Sequence, residues 1–329
     1  MTGLTIVTVD PQDDAALREW HAVEAASVRH ERPYALQRSL AALTAAVRHP
    51  NPYARRVLLA GMAGGVLVGV ADLTLPSADN THLVELEINV HPDHRRHGVG
   101  AALHDAADAL RRAEGRTTVL GEMYLQIDGA AAGLDFATMM GFTSVHTEEH
   151  LAMRLPADPF TVDALTRQVP GYEVVTWQGR CPDEHRAAYV AMRNQMNADV
   201  PTGEADAAPV VYDEERLSVS ETRLARSYEV LVSAVRRVTD GEMGGYSLVF
   251  LDRGDDVALQ DDTLVMPDHR GQGLGMQLKL ANLAVLRAEH PDRTMLHTWT
   301  DPDNGAMYRT NVNLGFAPVE IMHEVQRVD

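Results

Sequence analysis

One stretch occurs twice in this chain and limits what it can fold into. Val265-Met266-Pro267-Asp268-His269-Arg270-Gly271-Gln272-Gly273-Leu274-Gly275 and Val90-His91-Pro92-Asp93-His94-Arg95-Arg96-His97-Gly98-Val99-Gly100 share Val-x-Pro-Asp-His-Arg-x-x-Gly-x-Gly. Each follows an apolar, strand-like run and leads into an amphipathic, helix-like one. A repeat offset by about half the chain is the mark of a duplicated unit. Glycines let the backbone approach a ligand without a Cβ in the way, and the first N–H groups of a helix have no partner inside it. The stretch therefore reads as a turn that receives an anion, aided by the positive end of the helix dipole and by Arg270.

Two familiar phosphate turns do not fit. A dinucleotide fingerprint needs Gly-x-Gly-x-x-Gly with an acid further on, and a P-loop needs Gly-Lys-Ser/Thr. Arg-x-x-Gly-x-Gly after Val-x-Pro instead resembles motif A of the GNAT superfamily of N-acetyltransferases. Asn304 to Asn311, continuing to Gly315-Phe316, is similar to that family's motif B, and Ala130 to Met140 followed by Gly141-Phe142 is a weaker echo. The resemblance implies an α/β (mixed α+β) chain of two tandem GNAT domains, each a mostly antiparallel twisted sheet flanked by helices around an acetyl-CoA cleft.

The order of predicted elements agrees with this. Leu4 to Val9 alternates as a strand and is followed by helical patterning to about His49, broken near Pro33. Strands over 57–62, 66–75 and 83–90 lead to the first turn, a helix, a strand over 117–125, a helix ending at Met140 and a closing strand to Leu155. Prolines at 156, 159 and 170 bracket a linker. The series then restarts at Tyr172 and ends with a strand from Val319. The expected division is an N-terminal domain over 1–156, a linker over 157–170 and a C-terminal domain over 171–329.

Composition narrows the partners. At 329 residues with 45% apolar and 23% charged, the chain is long enough for two cores. A net charge of −18 argues against nucleic acid or an anionic membrane, and is compatible with a cationic substrate. No apolar run reaches the length of a membrane span, and the first residues read as a strand, not a signal peptide. A cytoplasmic protein is expected. The single cysteine, Cys181, excludes an intrachain disulfide. His91, His94 and His97 do not make a metal site by spacing alone, since the second copy keeps only His269.

The resemblance implies site residues position by position. Acetyl-CoA, the cosubstrate, would set its pyrophosphate on Arg270, Gly271, Gln272, Gly273, Leu274, Gly275 and Met276, with its pantetheine along Thr263, Leu264 and Val265 and with Asn304 opening motif B. In the first copy the same places are Ile88, Asn89, Val90, Arg95, Arg96, His97, Gly98, Val99, Gly100 and Ala101. Backbone N–H groups near Val265 and Met266 would polarise the thioester carbonyl. An ammonium acceptor must lose a proton before it attacks, and an acid on the strand before the turn often serves in this family. Asp261 and Asp262 stand there in the second half, on opposite faces if the strand is regular, and Glu85 and Glu87 in the first. Asp262 is the expected base.

The family's tyrosine acid falls at Asn311 in the second half and Ala137 in the first, so Tyr308, one helical turn earlier, becomes the alternative donor. The expected function is N-acetylation of a small molecule's primary amine, by direct attack in a ternary complex in the second half. The first half is expected to be degenerate, a division similar to that of the mycothiol synthases. Acetylation of a protein or peptide, and a non-catalytic acyl-CoA sensor or assembly module, are the other readings.

Overall fold

The computed structural model describes residues 3–127, 129 and 131–329. Ala130, the start of the weaker motif B echo, lies outside them. Helices begin where the sequence supplies caps: Asp13 accepts hydrogen bonds from the N–H groups of Ala15 and Ala16 at the start of α1 (Asp14–Arg29), and Ser39 accepts from Ala42 at the start of α2 (Leu40–Arg48). Strands β1 (Leu4–Thr8), β2 (Ala54–Ala63), β3 (Val66–Pro76) and β4 (Leu83–Val90) form an antiparallel series. Then come α3 (Val99–Ala113), β5 (Thr118–Gln126), α4 (Ala132–Met139) and β6 (Thr143–Arg154).

The second half repeats this with β7 (Tyr172–Gln178), α6 (Asp183–Asp199), α7 (Glu214–Leu224), β8 (Tyr228–Arg237), β9 (Met243–Asp252) and β10 (Val257–Val265). It continues through α8 (Leu274–Glu289), β11 (Met295–Thr300), α9 (Gly305–Leu314) and β12 (Ala317–Val328). Between the halves, the segment expected to be a linker contains α5 (Pro159–Leu165), whose Val162 and Leu165 pack on the core that β11 and α9 build. Phe160 of the same helix stays exposed.

The two compact units are not the two consecutive halves. The first comprises 1–147, 202–208 and 320–329, and the second 148–201 and 209–319. Each half lends its final strand to the other. In the first unit the sheet order is β1-β2-β3-β4-β5-β12, and β12 pairs antiparallel with β5 from Glu320↔Gln126 to Val328↔Thr118. In the second it is β6-β11-β10-β9-β8-β7, with Met295↔Arg154 to Thr300↔Glu149 joining β6 to β11. The cores agree: Val325 packs with Leu103, Val119 and Phe142, whereas Leu151 and Met153 pack with Leu283, Leu296 and Phe316. A bidentate ion pair from Arg32 to the buried Glu320, at 2.7 and 2.8 Å, secures β12 in the first unit. Residues 202–208 dock there too, through Glu204 N–H to the Val145 carbonyl and Thr118 Oγ1 to Asp206.

In each unit the helix after the turn and the next one cover one sheet face, and the helical pair after the first strand covers the other. Val99, Leu103 and Ala107 of α3 and Leu274, Leu278 and Leu283 of α8 point into cores, while Trp20 of α1 and Tyr189 of α6 fill the opposite faces.

Candidate functional site

The two turns are built alike. Each passes through a short 3₁₀ turn, Pro92–His94 or Pro267–His269, and enters its helix through a left-handed glycine, Gly98 at φ 82° or Gly273 at φ 80°. Neither cap residue has a side chain to satisfy the helix. The first intrahelical bonds are made by Ala102 N–H to Gly98 and Gln277 N–H to Gly273, so the N–H groups of Val99–Ala101 and Leu274–Met276 have no partner within their helices. A Cβ built on Gly98, Gly271 or Gly273 meets no atom within 4 Å. The space beside these donors is open, which suits a bound diphosphate.

Opposite the valine of each motif stands a glycine, Gly69 across from Val90 and Gly245 across from Val265. At Gly69 a Cβ would lie 2.6 Å from Val99 Cγ1, and at Gly245 one would lie 2.3 Å from the Leu264 carbonyl oxygen. These glycines let the turn sit hard against its sheet, and no repeat or periodicity marks them in the sequence.

The motif arginine also braces the turn. Arg95 and Arg270 donate back to the Val90 and Val265 carbonyls through Nε, at 3.2 and 3.0 Å. Their Nη2 groups reach Ser27 in α1 and Asp199 in α6, the latter at 2.5 Å. Both guanidinium groups brace the turn and tie it to a helix. The Met266 N–H, expected to polarise a thioester carbonyl, donates to the Gly244 carbonyl at 2.9 Å, as His91 N–H does to Val68. Those two amides are taken up by the sheet.

The cleft arises from strand divergence. Parallel β4 and β5 pair only over Leu83–Glu85 and Thr118–Leu120, and β10 and β11 only over Val257–Leu259 and Met295–His297. Beyond those points Ile88–Val90 and Thr263–Val265 have no ladder on that side, leaving backbone for an extended ligand arm. Thr263 Oγ1 is tied to Ser247 Oγ at 2.8 Å.

The second unit alone has a bulge in this strand. Gln260 pairs with Val249 and Thr263 with Ser247, so Asp261 and Asp262 together oppose one residue, whereas β4 pairs regularly with β3 from Glu85 to Val90. The bulge breaks the alternation that would send the two acids to opposite faces. Asp262 receives a 2.6 Å hydrogen bond from the Tyr246 hydroxyl and lies 3.5 Å from Arg193. Tyr246 is held edge-on by Tyr189, and Arg193 lies over the Tyr212 ring. Asp261 is open to water but recessed among protein atoms. Its carboxyl is pushed up to about 7, first by loss of solvation and then by the charge of Asp262. The titratable carboxyl near neutral pH is thus Asp261, and the expected base, Asp262, is the anchored neighbour.

The expected acids lie at α9. Asn311 is completely buried, donates to Thr300 Oγ1 at 2.7 Å and keeps α9 against β11. Tyr308, half-buried, donates its hydroxyl to Glu149, and its pKa is raised by desolvation and then by that bond. Asn304 caps α9 by accepting from Met307 N–H. His91 accepts from Asp93 N–H and His97 bonds to the Arg95 carbonyl; among the described residues no group of three or more His, Cys, Asp or Glu could hold a metal ion. Cys181 is fully buried, its thiol pushed up to about 12 by burial first and by Glu221 next. No helix of the described residues is long and apolar enough to cross a membrane.

Residues 15–142 match the Acetyltransferase (GNAT) family. Over its whole length the chain is similar to a tandem GNAT protein from the clavulanic acid biosynthesis pathway, with 27% identity, 99% of this chain and 98% of that one covered, and a TM-score of 0.84. A GCN5-related N-acetyltransferase from Sphaerobacter thermophilus shares the fold at 13% identity, covering 100% and 96%, with a TM-score of 0.71. Saccharomyces cerevisiae N-myristoyltransferase, solved with bound myristoyl-CoA, shares it at 11% identity, covering 99% and 78%, with a TM-score of 0.58. No curated protein matches the sequence. Family match, whole-chain likeness and the duplicated turn agree that the chain has the two-domain GNAT architecture and is an acyltransferase of the GNAT type, whose fold takes acyl-CoA.

Proposed function

We propose that the second unit transfers an acetyl group from acetyl-CoA to the primary amine of a small molecule. The copies over 1–156 and 171–329 are the products of the duplication, and the second is the reaction centre. Acetyl-CoA supplies an activated thioester. The open amides of Leu274, Gly275 and Met276, reached over Gly271–Gly273, would hold its diphosphate, and the unpaired edge at Thr263–Val265 its pantetheine arm.

The observation that carries this reading is Asp261 in the bulge. A carboxyl that titrates near pH 7, open to water beside the diverging strands, can take the proton an ammonium acceptor must lose. Asp262, fixed by Tyr246 and Arg193, keeps that pKa high through its charge, and Asn311 is a positioning residue that holds α9. Tyr308, bound to Glu149, is the hydroxyl available to protonate the departing thiolate. Attack is direct, so proximity supplies much of the rate.

Thiol release from acetyl-CoA over a panel of amino sugars, amino acids and polyamines tests the proposal. Turnover with at least one primary amine, lost in Asp261→Asn, is expected. Binding of acetyl-CoA with no turnover on any amine would make the chain a sensor instead.

A further inference from the structure

The first unit holds a short piece of chain that by sequence lies between two helices of the second. After Pro201 the backbone leaves the second unit, is bonded in the first over 202–208, and returns to the second at Pro209. The bonds are many for so short a strap. Asn80 accepts from the Ala208 N–H at 2.8 Å and donates to the Ala208 carbonyl at 2.9 Å. Asp206 accepts from Thr118 Oγ1 at 2.8 Å and lies 3.3 Å from His82 Nε2. Gly203, at φ 56°, is pressed so close to the Val145 carbonyl that a side chain there would clash with it.

The limb that returns is fixed on α6 by side chains. Asn194 accepts from the Tyr212 N–H at 2.7 Å and donates to the Tyr212 carbonyl at 2.9 Å, and Asn197 donates to the Val210 carbonyl at 2.7 Å. Reciprocal bonding by an asparagine amide imitates a strand pair and leaves Tyr212 little freedom. The Arg193 guanidinium lies over the Tyr212 ring, 5.2 Å from its centroid, and 3.5 Å from Asp262. A cation between an aromatic face and a carboxylate is held from both sides. The chemistry assigned above makes no use of Tyr212.

We propose that Tyr212 is a positioning residue for the acid pair of the β10 bulge, seating Arg193 on Asp262, and that the first unit serves the reaction by fastening the strap that leads to it. The inference rests on the acetyl-transfer reading of that bulge, and it gives the first unit a task that needs no turnover there. Its consequence is electrostatic. Asp261 is faced by Asp262 on its own strand, by Arg193 of α6 and by Glu148 of β6; the two acids raise its pKa and Arg193 lowers it. With the ring gone, Arg193 spends less time on Asp262, the acid pair keeps its proton to higher pH, and the acidic limb of activity moves up.

Initial rates from pH 5 to 9, beside a carboxyl NMR titration of the aspartate-labelled full chain, test this on Tyr212→Leu, Tyr212→Phe and the double variant Asn80→Gly/Asp206→Ala. Tyr212→Leu is expected to move both the acidic limb and the Asp261 titration up by about half a pH unit or more, whereas Tyr212→Phe, which keeps the ring, leaves both where they are. Asn80→Gly preserves a backbone that is left-handed at φ 49°, so with Asp206→Ala it unfastens the strap without strain; faster amide exchange at Tyr212 and the same upward movement are expected. Thermal melts by circular dichroism establish that each variant is folded, and the strap variant decides if Tyr212→Leu is not. An unmoved or lowered titration in a folded Tyr212→Leu, an equal rise in Tyr212→Phe, or an unfastened strap that leaves both the exchange and the titration unchanged would overturn the proposal. The titration needs no acceptor, so absence of turnover on every amine would sink the acetyl-transfer reading while the seating of Arg193 is still decided.

Discussion

Tyr246 donates a 2.6 Å hydrogen bond to Asp262 inside the β10 bulge, and the adjoining Asp261 makes no ion pair among the described residues. One acid is anchored by a tyrosine and an arginine, and the next titrates near neutrality. Two neighbouring carboxylates thereby acquire different tasks.

Asp261→Asn is expected to lower kcat by about 10²–10⁴-fold, the range for a positioned base. In the parent protein, activity should fall as pH drops through about 7, because Asp261 then takes up its proton. Initial rates from pH 5 to 9 measure this. An unchanged pH profile in Asp261→Asn would remove it from the mechanism.

Asp262→Asn should move that acidic limb to lower pH. A neighbouring negative charge raises the Asp261 pKa, and removing it lets the carboxyl ionise more readily, while Arg193, freed of its partner, acts in the same direction. The same pH series on the variant reads the displacement, and a limb that moves upward contradicts the assignment.

Lys279 is the only lysine, lies fully inside α8 and has its pKa lowered from 10.5 to about 7 by desolvation alone. Unfolded, it binds its proton below 10.5; folded, only below about 7. The unfolded state holds more protons between those values, so this group makes stability rise with pH across that window. Lys279→Met should therefore stabilise the protein on the order of 4 kcal/mol below pH 7, with the gain shrinking toward pH 10. Urea unfolding at pH 6 and pH 9 compares the two.

Asn311→Ala and Tyr308→Phe should separate structure from chemistry. The first leaves Thr300 without its buried partner, which costs about 1–3 kcal/mol of stability. Tyr308→Phe keeps the ring and should lower kcat with little change in melting temperature. Equal kcat in Tyr308→Phe and the parent would dismiss Tyr308 as the acid.

Gly245→Ala should destabilise far more than Gly98→Ala. At Gly245 the added methyl meets the Leu264 carbonyl, so two paired strands must part; at Gly98 it enters open space and the cost is the left-handed backbone, about 1–2 kcal/mol. Melting temperatures of the two variants give the order directly.

The turn was legible in the sequence because its causes are local. Pro267, the glycines and the helix start each constrain φ or remove a side chain within a few residues, and the second copy repeats them. The roles of Arg270 and Met266 were not legible, since their partners, Asp199 and Gly244, lie in elements far along the chain. The alternation that made Asp261 and Asp262 opposites failed for a related reason: the bulge is a property of how β10 registers on β9.

By itself the sequence determined the duplication, the order of strands and helices and the two glycine turns that open α3 and α8. The tertiary structure alone decided that β6 and β12 change places, because strands pair through N–H and C=O groups that every residue carries, so no side-chain pattern names the partner sheet. It also decided which carboxylate titrates near neutrality, because a pKa is set by the solvation and charges that long-range packing brings to a group.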